Sequence, residues 1–561
     1  MNAMIQVDRL FKNANVLTID EENSHANVVA SYKGKITGIW TNSEFDLIKK
    51  EIEKDDKLIV HDLEGQTLIP GFIDTHNHLL MYALNKNQVD CSSPKNESIE
   101  DILNNLRTHH NTHSDGSWII GYGYDDTLLK ENRHPTRHDL DKVSTNRPIF
   151  IKHISNHLAV ANSYALKLAG VDESIENPEG GHFGREENNS LNGVLFEPSA
   201  MDIVYKHAPI PTDEEVIKLM GLASEDYLAQ GITTSSDAGV GLVFGRPEYD
   251  LHMVALKEGA NQLRMRLMIM YDLLSEGGPF EKFHAEELRE RILKDSNGKA
   301  KLDSAKLFQD GSIQGLTGAL RKPYYCDDEL YGELIFHQDT LNSYVLDFHK
   351  RGFRVTTHGN GDQAIGSIIE AYKYALNSNT KIDHRHRIEH VQTATVEDLQ
   401  EMKKHDIAAS FFINHVYYWG DRHKRIFLGP ERAERMNPLK DASDLDMLYT
   451  LHSDCPITAI SPLFSIWAAA NRITREGKVL GEGQKIDVLE AIKSMTIYGA
   501  RLNFEEDQLG SVEVGKLADF AVLDRDPTAI DPLEIKDISV EMTIINGEVI
   551  YENTKQVATN L

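Results

Sequence analysis

Two apolar rhythms divide this chain. At both ends hydrophobic and polar residues alternate in short runs: LFKNANVLTID, NVVASYKGKITGIW and DKLIVHDLEGQTLIP near the start, LADFAVLD and VEMTIINGEVIYE near the end. A period of two marks strands with one buried face. Turn dipeptides punctuate the runs at Lys33-Gly34, Glu64-Gly65 and Asn546-Gly547, the last a strong hairpin signal. The two ends therefore predict one small β-domain that brings the termini together.

Between them, short apolar runs alternate with helical spacing. Eight runs end near Asp74, Asp237, Tyr271, Phe308, His358, His390, Phe412 and Asp454. Thr212-x-x-Glu215 and Thr395-x-x-Asp398 read as capping boxes, and Gly231 closes the first of these helices. Ile365, Ile368, Ile369 and Tyr372 share one helical face, as do Val396, Leu399 and Met402, and Leu489, Ile492 and Met495. Eight strand–helix units predict an α/β fold, a (β/α)8 TIM-like barrel, whose functional residues gather at the C-terminal strand ends. Residues 81–210 fit no single crossover. A helix from Ser98 to His109, the runs SWIIGYGYDD and RPIFIKHIS, and the hairpin-like GGHFGREENNSLNGVLFE predict an inserted subdomain between barrel strands 1 and 2, leaving from the catalytic face. The expected division is 1–65 with 500–561 for the β-domain, 66–80 with 211–499 for the barrel, and 81–210 for the insertion.

Composition narrows the function. At 561 residues the chain exceeds one compact core, and 40% hydrophobic with 26% charged residues is an ordinary globular balance. A net charge of −28 argues against nucleic acid and anionic membranes as partners. Cys91, Cys326 and Cys455 are far apart, which excludes a cysteine zinc knuckle and a disulfide framework. No apolar run is long enough to span a bilayer. The expected setting is the cytoplasm.

Six residues at the ends of apolar runs form a metal-ligand set: His76 and His78 in PGFIDTHNH, Lys306 in SAKLFQDGS, His358 in VTTHGNGD, His390 in RIEHVQ and Asp454 in LHSDCP. Imidazole and carboxylate together suit borderline and hard divalent cations. Period two aims His76 and His78 to one side, with Asn77 opposite and Asp74 placed to orient a ligand. Lys306 is the exception, because an ammonium has no lone pair to offer. Addition of carbon dioxide to its neutral amine would give a carbamate with two donor oxygens. Around this set, Asp310 in FQDGS is a candidate substrate contact or an ordinary βα turn residue. Asp362 reads as a helix cap, His452 as a neighbour of Asp454, and Cys455 as a buried filler. Tyr417, Tyr418 and Trp419 form an aromatic cluster after strand 7, with Tyr417 and Trp419 as candidate walls of a substrate pocket.

This order of ligands resembles the amidohydrolase superfamily in its binuclear, carboxylated-lysine form. GSWIIGYGYDD, ISNHLAVANSYAL, KLFQDGSIQGLTGAL, THGNGDQAI and GSVEVGKLADFAVLD are similar to the branch called amidohydrolase family 3, or YtcJ-like, which includes N-substituted formamide deformylases. The resemblance implies a β-sandwich built from both termini beside the barrel. It implies zinc or a similar divalent cation, one or two per chain: His76, His78 and Asp454 on one ion, His358 and His390 on the other, and N6-carboxylated Lys306 between them. The implied reaction is hydrolysis of a C–N bond by a water made nucleophilic by the cations, with Asp454 as the proton carrier; His157 in SNHLAVANS is a candidate donor to the carbonyl oxygen or, equally, a histidine that organises its own subdomain. A small-molecule substrate and a homodimer are expected. A mononuclear deaminase on the same barrel is the alternative. Such enzymes place a glutamate three residues after the strand-5 histidine, where this chain has Gly361. Ester or lactone hydrolysis and a non-catalytic binding role are further alternatives.

Overall fold

A computed structural model describes residues 6–52, 57–93, 95–112, 117–155, 158–380 and 383–553. It contains two compact units, one of Met1–Leu80 with Ala223–Leu561 and one of Met81–Leu222.

The larger unit holds an eight-stranded, all-parallel sheet in which each strand pairs with the next in the chain. Its strands are Phe72–Asn77, Ile232–Val240, Arg264–Met270, Ala300–Phe308, Val355–Gly359, Arg387–His390, Ala408–Phe411 and Tyr449–Leu451. Beyond the last strand, Asp454 N–H donates to the His76 carbonyl at 3.1 Å and His78 N–H to the Cys455 carbonyl at 2.7 Å, lacing strand 8 to strand 1. The sheet thus curls into a (β/α)8 barrel. Its interior carries small hydroxyls where strands crowd: Thr75 meets Thr450 at 2.8 Å, and Thr450 meets Ser410 at 3.1 Å.

The helix signals act where the sequence places them. Thr212 and Glu215 exchange both capping hydrogen bonds, and Thr395 and Asp398 do the same. Gly231 takes φ 77° just before strand 2. Ile365, Ile368, Ile369 and Tyr372 are buried on the helix Asp362–Ser378. Val396 differs from its expected face-mates. Leu399 and Met402 are buried, but Val396 starts its helix and stays 39% exposed.

Both chain ends build a β-sandwich in the same unit. One sheet runs Lys35–Trp40, Val28–Tyr32, Arg9–Lys12, Ile59–Asp62; the other runs Glu548–Glu552, Val540–Ile545, Phe520–Leu523, Thr67–Pro70, Asn15–Leu17, His25–Ala26. Phe520–Leu523 pairs antiparallel with Thr67–Pro70, so the C-terminal strands complete an N-terminal sheet. Phe11, Val29 and Ile36 from one sheet and Val16, Leu68, Phe520 and Ile544 from the other close the core. The Asn546-Gly547 turn has both residues at positive φ, 54° and 76°, which glycine and asparagine tolerate best.

The smaller unit is a six-stranded sheet covered on both faces. Ile102, Leu106, Ile149 and Val160 belong to one core; Phe150, Ala161, Phe183 and Leu195 belong to the other. Among the described residues no helix is long and apolar enough to cross a membrane.

Candidate metal centre

Strand 1 reads FIDTHN and is buried throughout. A register irregularity between Asp74 and Asn77 interrupts the alternation, and the Asn77 side-chain oxygen accepts from Ser235 Oγ of strand 2 at 2.9 Å. His76 and His78 both face Asp454. His76 Nε2 and His78 Nε2 each stand 3.4 Å from the same atom, Asp454 Oδ1. A tetrahedral cation with bonds near 2.0–2.1 Å spaces its ligand atoms about 3.4 Å apart. Two of the three separations therefore match the spacing one such ion requires, and all three donors lie within 4.8 Å of one another.

The second pair forms on strands 5 and 6. His358 Nδ1 faces His390 Nε2 at 3.0 Å. The remaining ring nitrogens are engaged: His358 Nε2 lies 3.1 Å from the Gly311 carbonyl, to which it donates, and His390 Nδ1 lies 3.2 Å from His452 Nε2. His452 Nδ1 in turn meets Ser410 Oγ at 2.7 Å, and its ring stacks on His76 with centroids 4.6 Å apart. His452 is thus in direct contact with two of the candidate ligands, beyond the neighbourly role expected of it.

Two candidate ligands hold backbone conformations that L-residues avoid. His390 has φ 70° and Asp454 φ 52°. On strand 6 the alternation already sends Arg387 and Glu389 inward, so regular extension would turn His390 away from the barrel mouth. The left-handed turn at His390 and Val391 returns the imidazole to it. Such residues cost on the order of 1–3 kcal/mol each and persist where the surroundings fix them.

Lys306 lies on strand 4, with its Nζ fully buried over the Phe308 ring at 4.8 Å and without a hydrogen-bond partner. Burial pulls its ammonium down to about 8, partly countered by the Glu389 carboxylate. Around it, burial raises Asp454, but hydrogen bonds from His76 and His78 outweigh this and hold it well below the usual carboxylate range. Burial lowers His358 to about 3, aided by the Lys306 charge. A buried amine with no partner, beside carboxylates and neutral imidazoles, fits a cation site whose lysine is not an ammonium in the loaded state.

The other expected residues fall in different places. Asp74 does not orient a ligand ring. Its carboxylate accepts from His76 N at 3.2 Å and from Ser453 Oγ at 2.7 Å, tying strand 8 to strand 1. Asp310 spends both oxygens on three backbone N–H donors, Asn360 at 3.0 Å, Gly361 at 2.7 Å and Ala319 at 2.9 Å, which gives it a scaffolding job and leaves no oxygen turned to a substrate. Asp362 is the first helical residue, and its carboxylate accepts from Arg321 N instead of capping its own helix. Tyr417 packs on Phe464 and Trp467, whereas Trp419 packs on Phe412 and His415. Cys455 is buried. His157 lies outside the described residues. In the smaller unit, Asp125, Asp126 and His153 also bring ligand-type atoms within 4.8 Å of one another, with Asp126 paired to His153 Nε2 at 3.1 Å and Asp125 capping a 3-10 turn.

Sequence reading missed Glu389 and His415. Glu389 is fully buried, with Oε2 2.7 Å from His76 Nδ1. The available signal was a charged alternation, Arg387-x-Glu389, directly before the candidate ligand His390. His415 is buried against Phe412, its ring 6.3 Å from that of His390. It follows an asparagine in a loop, and nothing in the sequence distinguishes it.

Comparison with known proteins gives a consistent picture. The model of the amidohydrolase family matches residues 60–551. The chain is 27% identical to an N-substituted formamide deformylase of Arthrobacter pascens, covering 98% of this chain and 99% of the relative. It is 26% identical to the putative amidohydrolase YtcJ of Bacillus subtilis (strain 168), covering 96% and 98%. A crystal structure of an uncharacterized metal-dependent hydrolase from Pyrococcus horikoshii shares the fold, with a TM-score of 0.72 at 22% identity over 93% of this chain and 99% of that one.

Proposed function

The chain belongs to the amidohydrolase family, and we propose that it is a zinc-dependent hydrolase whose substrates are small amides of the N-substituted formamide class. Its cation ligands are His76, His78, Lys306, His358, His390 and Asp454. The observation that carries this reading is the convergence of His76 Nε2 and His78 Nε2 on Asp454 Oδ1, each at 3.4 Å. The formamide class is favoured by full-length similarity to a protein of that name.

Cations held there supply a Lewis acid for the carbonyl oxygen and bring the pKa of a water into the neutral range. The chain's own groups do the rest. Asp454, ionised at working pH and within reach of both strand-1 imidazoles, takes the proton of the attacking water and delivers it to the departing nitrogen. Lys306, as its carbamate, supplies two oxygens where the amine has one partnerless nitrogen. The lowered pKa of that amine favours the modification, since only the neutral form adds carbon dioxide.

The deaminase alternative is disfavoured by packing. A Cβ on Gly361 would stand 1.9 Å from the Ala319 carbonyl oxygen, so no glutamate fits at that position. Esters and lactones remain substrates the same site would accept. We further propose a cytoplasmic setting and small-molecule substrates, supported by the net charge of −28 and the unpaired cysteines, and a homodimer, which rests on the family resemblance alone.

The test is elemental analysis of the purified protein together with an amide panel that includes N-substituted formamides. The expected result is one or two zinc-type ions per chain and turnover that chelation abolishes and added metal restores. Hydrolysis that survives complete metal removal would overturn the reading.

A further inference from the structure

Each candidate imidazole ligand has two ring nitrogens, and only one can face a cation. Which one does so is decided by what holds the other. For His358 the holder is a backbone carbonyl, and for His390 it is another histidine. For His76 it is a carboxylate. Glu389 Oε2 lies 2.7 Å from His76 Nδ1, across 313 residues of sequence, and both side chains are almost wholly buried.

Glu389 is itself fixed. Its second oxygen accepts from Arg387 Nε, and Arg387 Nη2 reaches Asp303 Oδ1 at 3.4 Å. Asp303 is also paired with Arg354 at 2.5 Å. Within this buried group two guanidiniums already balance two carboxylates. The contact with His76 is therefore not needed to neutralise Glu389.

We infer that Glu389 is a positioning residue for metal binding, fixing His76 so that its Nε2 is the nitrogen offered to the cation. The inference rests on the metallohydrolase reading above. The physical argument is one of donors and acceptors. An ionised carboxylate can only accept, so His76 Nδ1 must carry a proton. Nε2 is then the atom that yields to a cation, and it is the atom facing Asp454 Oδ1 and the shared point with His78. Without the carboxylate, the proton can settle on Nε2 and bond to Asp454, which closes the gap between the two by a hydrogen bond. A carboxylate behind the ring also raises the basicity of the ligating nitrogen. Removing such a partner typically costs about 10- to 100-fold in metal affinity.

The experiment compares zinc affinity, by competition with a chromophoric chelator, in wild type, Glu389→Gln and Asp303→Asn, and records the visible spectrum of each protein loaded with cobalt(II). Glu389→Gln is expected to weaken zinc binding about 10- to 100-fold and to change the cobalt spectrum. Asp303→Asn disturbs the same ion cluster without touching His76. It is expected to lower the melting temperature, to reduce zinc affinity by less than Glu389→Gln does, and to leave the cobalt spectrum unchanged. Wild-type affinity in Glu389→Gln, or equal losses of affinity in both variants, would refute the positioning role and leave the hydrolase reading intact. A wild-type chain that binds no divalent cation would instead overturn that reading, and this inference with it.

Discussion

Replacing Lys306 by methionine should destroy activity and yet make the metal-free protein more stable. The amine is fully buried and its nitrogen has no hydrogen-bond partner. Burial lowers its pKa from the ordinary 10.5 to about 8. That difference corresponds to about 3 kcal/mol by which the charged form is worse off in the folded chain than in the unfolded one. The sign follows from proton counts. Between about 8 and 10.5 the unfolded chain binds more protons than the folded one, so stability rises with pH across that window. The penalty is fully present below about 8 and gone above 10.5. Methionine has similar length and no charge, so Lys306→Met should gain about 3 kcal/mol at pH 7, with the gain fading as pH approaches 10.5. Thermal unfolding of chelator-stripped proteins at pH 7 and pH 10 reads this directly, with an expected rise of roughly 2–3 °C at pH 7. Adding zinc should reverse the order, because only the wild type then gains from a full ligand set. A variant that melts at or below the wild type at pH 7 without metal, or a difference that ignores pH, would show that Lys306 is not a stranded cation.

Three other outcomes follow from the same geometry. Asp454→Asn should lower kcat by about 10²- to 10⁴-fold and also weaken zinc binding, since it removes the proton carrier and a ligand together, as steady-state kinetics and metal titration would show. Asp310→Ala leaves three buried N–H groups unpaired and should cost about 3 kcal/mol or more in denaturant unfolding, with activity lost in proportion to folded protein. Zinc reconstitution of stripped protein should be accelerated by bicarbonate, and more so at pH 8.5 than at pH 6.5, since the neutral fraction of an amine titrating at about 8 rises from about 3% to about three-quarters over that interval; rates indifferent to bicarbonate at both pH values would exclude the carbamate.

The barrel, and the convergence of the candidate ligands at its mouth, were legible because both depend on local rules. Apolar runs set the strands, capping boxes set helix starts, and the strand ends of a barrel converge by topology. What was not legible depends on pairing at long range or on broken rules. Nothing local ties Glu389 to His76, 313 positions away. Strict alternation makes Glu389 and His390 opposite in direction, and only the positive φ at His390 lets both serve the same centre. Asp74 misled for a related reason. A register irregularity between Asp74 and Asn77 breaks the period-two argument that set Asp74 beside the His76 ring, and Ser453 from the last strand claims its carboxylate. Asp310 follows the lysine strand, where a substrate contact is natural, yet three backbone donors, one from its own loop and two from the loop after strand 5, consume it.

The buried charges beneath the centre add a last constraint. Asp74, Asp303, Glu389 and Asp454 are all buried, and so are Arg354 and Arg387. Burial raises Asp74 only to about 6, so at neutral pH all four carboxylates are ionised. Four negative charges against two guanidiniums leave an excess of two, in a volume where unbalanced charge is costly. A lysine ammonium is a poor remedy, because Lys306 supplies one charge and makes no hydrogen bond. A divalent cation at His76, His78 and Asp454 supplies two charges and satisfies the ligands' lone pairs. With such an ion bound, the local field would no longer favour an ammonium at Lys306, and the neutral amine would become the preferred state. Metal loading and the chemistry of Lys306 would then be thermodynamically linked, and each should report on the other in titration.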